Sequence, residues 1–425
     1  MNKLTYSTAL AVMLGLLSGC GSSAQTSTDT STQITVERGP VLNAYVMDAK
    51  FQFAKEDGNG KYTFKNKPVY PLKVFGGFID INRNGIIDEG DINNTLSYET
   101  EKGKSVTLVS SIAKNKEIKE YLNKAFYLSD AEIDNKLPDN DKAIAAVSDE
   151  VFAYCIEHNI TDASNISLDD LKSIEADIQY KLQQYSDDDN RSEVEKELVK
   201  DLKIKELNST QIDTIVQTGD TVTQSSLNSV LSQLPEYNLT AGAKETLSHM
   251  WNEEKLAHDL YLKLYDLYPN KVFYTIATRS EARHEASVQN LIKKYDLNIT
   301  SSDFNGSYNE EELAKYGVGE FILPEIQKLY NDLYDSGKTS EVDALKVGCM
   351  VEVTDVNDIN EYLEDNSTTP DMKIVFEHLR NGSYHHYWAF DRQLKKLGVE
   401  NGCCSLGDEY CKTEEEYPKI YGPQK

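Results

Sequence analysis

Positive charge is scarce in this chain: 44 Lys and Arg face 70 Asp and Glu, a formal net charge of −26. So acidic a surface repels phosphate backbones, which excludes nucleic acid as a partner. It also leaves carboxylates available to cations, although most of them do no more than keep the surface soluble. Long apolar runs are missing too. A membrane-spanning helix needs about 20 apolar residues, and the longest apolar stretch, from Ala9 to Leu17, falls well short. With Lys3 ahead of it and Leu17-Ser18-Gly19-Cys20 behind it, that stretch reads as a signal peptide over residues 1–19. Cysteine is sparse. Setting Cys20 aside leaves Cys155, Cys349, Cys403, Cys404 and Cys411, an odd number for a chain expected to be exported. One thiol should be free or paired between chains, and Cys403 or Cys404 with Cys411 is the expected disulfide.

The end of the signal peptide resembles the bacterial lipobox. That resemblance implies a lipidated Cys20 as the first mature residue, contact with a membrane through its acyl chains, and a place in the bacterial cell envelope, outside the cytoplasm. Residues 20–33, rich in Ser and Thr, read as a flexible tether.

A chain of 425 residues is too long for one core of ordinary size, so a multidomain α+β protein is expected. Residues 34–107 hold short β-type runs broken by Gly and Asn turns, which predicts a small β-sandwich. It resembles the prealbumin-like modules of bacterial surface proteins. Within it, Asp80, Asn82, Asn84, Asp88 and Asp91 fall at loop positions one, three, five, nine and twelve, with Gly85 at six. That spacing suits a calcium loop; the alternative is an Asx-rich turn with no ion. Residues 108–235 read as a helical spacer without recognisable chemistry, including the acidic run at 186–190. A Cys-containing tail follows at 401–425.

Between 239 and 400 the sequence predicts four long helices, over about 243–268, 272–295, from Ser340, and from Thr369 to before Gly398. Ser340 caps the third with Asp343 reaching back, and Pro370 opens the fourth. Each apolar stripe is interrupted near mid-length: by Glu254 in the first, Glu281 and His284 in the second, Glu352 and Asp355 in the third, Ser383 and His386 in the fourth. Glu253 and Lys255 fall off the first stripe and should face water. In a bundle, mid-length positions share one layer. Carboxylates gathered in a dry core would each cost several kcal/mol in desolvation and repel one another, a conflict that a cation removes.

Glu254, Ala257 and Tyr261, with Glu281-x-x-His284, resemble the ferritin and rubrerythrin pattern, in which two helices give one Glu each and two give Glu-x-x-His. The stretches from Glu253 to Asp259 and from Gly382 to His386 more closely resemble the ferritin-like family called domain of unknown function 2202. The resemblance implies a C-terminal ferritin-like four-helix bundle over 239–400 with Glu254, Glu281, His284, Glu352 and His386 as metal ligands. Ser383 departs from the pattern, standing where the second Glu-x-x-His has its Glu; Asp355 is the expected replacement, ahead of His258 and His385. Cys349 reads as a small buried residue.

Oxygen and imidazole donors suit iron, and also manganese or zinc. The leading expectation is therefore an envelope lipoprotein with an iron site of one or two ions, an oxidoreductase acting on dioxygen or peroxide, with Tyr261 near enough to tune the centre. The alternative from another class is a surface interaction or scaffold protein whose metals are only structural. A zinc hydrolase would lack a general base outside the ligand set. Oligomeric state is open, a homo-oligomer included.

Overall fold

Ten short strands between Thr32 and Val106 open the fold. They form one four-stranded sheet, in the order Ser105–Val106, Thr32–Val36, Lys61–Phe64, Lys55–Gly58, and two three-stranded sheets. The alternation of Lys61–Phe64 explains its place, since Tyr62 and Phe64 turn inward while Lys61 stays exposed. The computed structural model describes residues 31–185 and 190–420. The signal peptide, Cys20, most of the tether and residues 186–189 of the acidic run lie outside the described residues. Thr32 and Gln33, expected in the tether, instead pair with Phe64 and Thr63 in the sheet.

The expected spacer is not separate from this β-rich region. Ile34, Phe64, Val74 and Tyr98 share one core with Ile118, Ile144, Phe152, Leu171 and Val199. The physical reason lies in the helix Lys142–Glu157, which buries Ala145, Ala146, Val147, Val151, Phe152 and Cys155 around much of its circumference. A helix apolar on so many sides is stable only when enclosed. Charge joins the two segments as well. Arg38, just after the first strand, is fully enclosed, pairs with Glu195 and lies 3.9 Å over the Phe152 ring.

A mostly helical region follows. Its long helices are Ala241–Leu267, Ala282–Lys294, Glu341–Glu364 and Pro370–Lys396, with Pro324–Gly337 between the second and third. The sequence signals act as expected at several ends: Thr240 accepts the Ala243 N–H, Pro370 occupies the first turn, and Gly398 is left-handed. Ser340 caps its helix by accepting the Asp343 N–H, but the Asp343 carboxylate takes the Ser340 and Thr339 hydroxyls rather than closing a capping box. Gly348 lets the third and fourth long helices approach, since a Cβ there would sit 2.7 Å from the Phe390 ring. Tyr45, Met47 and Phe75 of the β-rich region pack into the same cluster as Leu247, Val288 and Phe376. All the described residues from Ser31 onward thus belong to one packed unit. Among them no helix is long and apolar enough to cross a membrane.

Candidate metal centre

The second long helix is entered through a π-helical stretch, Ala277–Glu281, which ends on Glu281 itself. Such widened turns re-aim side chains and recur at functional sites. Here Glu281 lies between two imidazoles: Oε2 is 3.1 Å from His284 Nδ1 and Oε1 is 3.0 Å from His386 Nδ1. His284 Nδ1 is also 3.2 Å from Glu254, and His386 Nδ1 is 3.2 Å from Glu352. The donor atoms form two triplets, Glu254, Glu281, His284 and Glu281, Glu352, His386, each within 4.8 Å and sharing Glu281. All five residues are at most 2 % exposed.

Burial in this pocket works on the acids first. It pushes Glu254 up to about 8 and raises Glu352. Burial alone would lower His284, but Glu254 and Glu281 outweigh it and hold the imidazole at about 10. Burial likewise opposes a charged Glu281, yet His386 and His284 carry it below the usual carboxylate range. Glu254 Oε1 and His386 Nε2 are buried with no hydrogen-bond partner among the described residues.

Residues 243–412 match the family described as "Uncharacterized protein domain (DUF2202)". Uncharacterized protein MJ0754 of Methanocaldococcus jannaschii is 38% identical over 190 residues, which cover 45% of this chain and 92% of that protein. The chain belongs to the DUF2202 family. The crystal structure of hypothetical protein MJ0754 from Methanococcus jannaschii DSM 2661 is 34% identical, covers 45% of this chain and 98% of that one, and superposes with a TM-score of 0.36.

Both triplets lie inside the DUF2202 stretch, as do several of their neighbours. The Tyr261 hydroxyl donates to Glu352, a closer contact than its distance along the helix suggested. Asp355 stands outside both triplets, half-buried, its carboxylate taking the Ser383 hydroxyl. His258 faces Asp259, and His385 donates from Nδ1 to the Asn381 carbonyl while Nε2 accepts the Ile420 N–H, so neither joins the donors. Glu253 and Lys255 do not face water as expected. Lys255 pairs with Asp259 and donates to the Gly317 carbonyl, and Glu253 lies 3.1 Å from His249. Segments around Gly317 to Ile322 cover that face of the helix, which one apolar stripe cannot reveal.

Cys349, read as a small buried residue, is bonded to Cys403, and Cys404 to Cys411; among the described residues Cys155 is the free thiol, and it is buried. The first bridge ties the tail to the third long helix one turn before Glu352.

Part of the support comes from before the DUF2202 stretch, in the segment where the sequence showed no chemistry. Ser280 Oγ donates to the Thr218 carbonyl and lies 3.4 Å from His284 Nε2, while Asp220 pairs with Arg283 at 2.8 Å. Gly382 carries part of the family resemblance in the sequence, but its role becomes visible only in the packing. A Cβ there would lie 2.4 Å from His284 Cε1 and 2.5 Å from Nε2. Gly382→Ala should therefore displace the ring and weaken retention of a transition metal by roughly 10–100-fold, read by metal competition; an unchanged affinity would show that Gly382 does not set the ring's position.

The loop from Asp80 to Asp91 lies far from these residues in sequence and closes on itself. Asp80 accepts the N–H groups of Arg83, Asn84 and Gly85, Asp91 those of Ile81 and Asp88, and Asp88 takes both Asn82 and Asn84 side-chain amides. Burial raises Asp91 to about 7.

Proposed function

We propose that the four long helices form a ferritin-like bundle holding two transition-metal ions, with iron as the first choice and manganese or zinc as alternatives. The protein would then be an iron-dependent oxidoreductase acting on dioxygen or peroxide. The observation that carries this reading is the shared carboxylate, Glu281, placed between two donor triplets. The donors fit the group. Three Glu and the adjacent Asp355 outnumber the two imidazoles, the cluster is buried, and oxygen with imidazole nitrogen is the ligand set of these metals.

Bound ions would supply open coordination positions for a small oxidant and electrons for its reduction. The chain's own residues divide the remaining work. Glu281, between His284 and His386, would serve both ions, and the Tyr261 hydroxyl orients Glu352. Gly382 and Ser280 set the His284 ring. Ser383, in the place of a fourth Glu, brings the Asp355 carboxylate alongside through its hydroxyl.

Anaerobic titration of purified protein with ferrous iron, followed by metal analysis and optical spectroscopy in air, should give about two ions per chain and the absorption of a bridged pair. Retention of less than about one ion per chain sinks the proposal. Attachment to the envelope rests on Leu17-Ser18-Gly19-Cys20. Labelled fatty acid should enter the protein and be lost in Cys20→Ala; equal labelling of both would remove the anchor.

A further inference from the structure

A cavity of about 210 Å³ opens between the first and third long helices and the Pro324–Gly337 helix. Its inner end is made by Glu254, Glu281 and Glu352, while His284 and His386 stand behind these carboxylates and do not line it. Its walls are a different chemistry. Leu256 and Ala257 come from the first long helix, Met350, Val351 and Thr354 from the third, and Leu333 from the intervening helix. At the rim stand Leu329, 37% exposed, and Tyr410, set beside the Cys404–Cys411 bridge.

Three properties of this space select its occupant. Size comes first: an apolar cavity of about 150 Å³ takes up benzene, so this one has room for a single ring bearing one or two small substituents, and not for a cofactor or a peptide. Walls come second: Leu256, Ala257, Leu333, Met350 and Val351 give the space an apolar side, to which Thr354 adds one hydroxyl, and such a side favours an apolar guest. Charge comes third. Glu253, Glu254, Glu281, Glu352 and Asp355 are all carboxylic acids and no Lys, Arg or His lines the space, so the lining itself offers an anion no basic partner.

We propose that this cavity binds a small uncharged organic molecule, aromatic or alicyclic and of about six to nine heavy atoms, and presents it to the Glu254, Glu281 and Glu352 carboxylates. The DUF2202 site then serves a ring-sized neutral substrate and not the storage of metal. This names the substrate class of the same centre and so rests on reading that centre as the reacting end.

The test titrates full-length protein, metal-free and iron-loaded, with phenol and with benzoate, following ligand signals by saturation-transfer NMR and metal content in parallel. Phenol should bind saturably in both forms, and benzoate at least tenfold more weakly to the metal-free form. Ala257→Leu and Met350→Trp, which fill the walls from different helices, should each weaken phenol at least tenfold while keeping the wild-type metal content and melting temperature; if one variant fails to fold, the other decides. No saturable phenol binding, phenol binding unchanged in a folded variant, or benzoate binding to the metal-free form as tightly as phenol each overturns the inference. Phenol binding with these properties in a protein that retains no metal supports the cavity and overturns the metal reading alone.

Discussion

Glu281→Gln is expected to strip the protein of both metal ions, whereas Glu254→Gln and Glu352→Gln should each remove about one. The difference follows from position. Glu281 faces His284 through one carboxylate oxygen at 3.1 Å and His386 through the other at 3.0 Å, while Glu254 meets only His284 and Glu352 only His386. Glutamine keeps the shape but offers one neutral oxygen and an amide that repels a cation. The loss at each position should be at least about 100-fold in affinity, more than the 10–100-fold typical of a residue that only supports a ligand. Equilibrium dialysis with metal analysis reads the pattern, with circular dichroism confirming that the helices persist. If all three variants lose the same fraction of metal, Glu281 does not bridge.

The second large effect should appear far from that centre. Glu195 is fully enclosed, pairs with Arg38, lies 2.7 Å from Arg83 and 3.9 Å from Arg191, and accepts the Gly39 N–H. Removing one partner of such a network leaves buried charge uncompensated, so Glu195→Gln should cost about 3–5 kcal/mol, a large part of the 5–15 kcal/mol that holds a typical domain folded. The acid limb has a definite sign. Burial opposes the charged Glu195, yet Arg38, Arg191 and Arg83 together hold its folded value at about 2, below the ordinary 4.5. Its contribution is complete above about pH 4.5 and is lost as pH falls toward 2. Urea midpoints should therefore drop steeply for the native protein across that window and more shallowly for the variant. An unchanged midpoint at pH 7, or the same acid slope for both proteins, contradicts this.

The fold and the centre were legible in unequal measure. Stripe interruptions at Glu254, Glu281, His284, Glu352 and His386 could be read because helical periodicity is local, and the structure brings these five side chains together. Caps were legible for the same reason, as at Thr369-Pro370 and Gly398. Contacts between distant segments were not. The Cys349–Cys403 bridge joins residues 54 apart, and the core that merges Ile34 with Val199 has no counterpart in composition. A Lys- and Glu-rich helical segment looks like a spacer until its apolar faces are seen to cover a sheet.

What the sequence alone determined is which side chains each helix carries at mid-length on its inner face, because spacing of three and four residues dictates that whatever the helix packs against. Tertiary structure decided what those faces meet: that Glu281 lies between two imidazoles, that Thr218 and Asp220 reach the histidine side from a segment without a motif, and that an apolar space ends on the carboxylates. Such matters depend on how whole elements close on one another, and a local repeat carries no information about its distant partner.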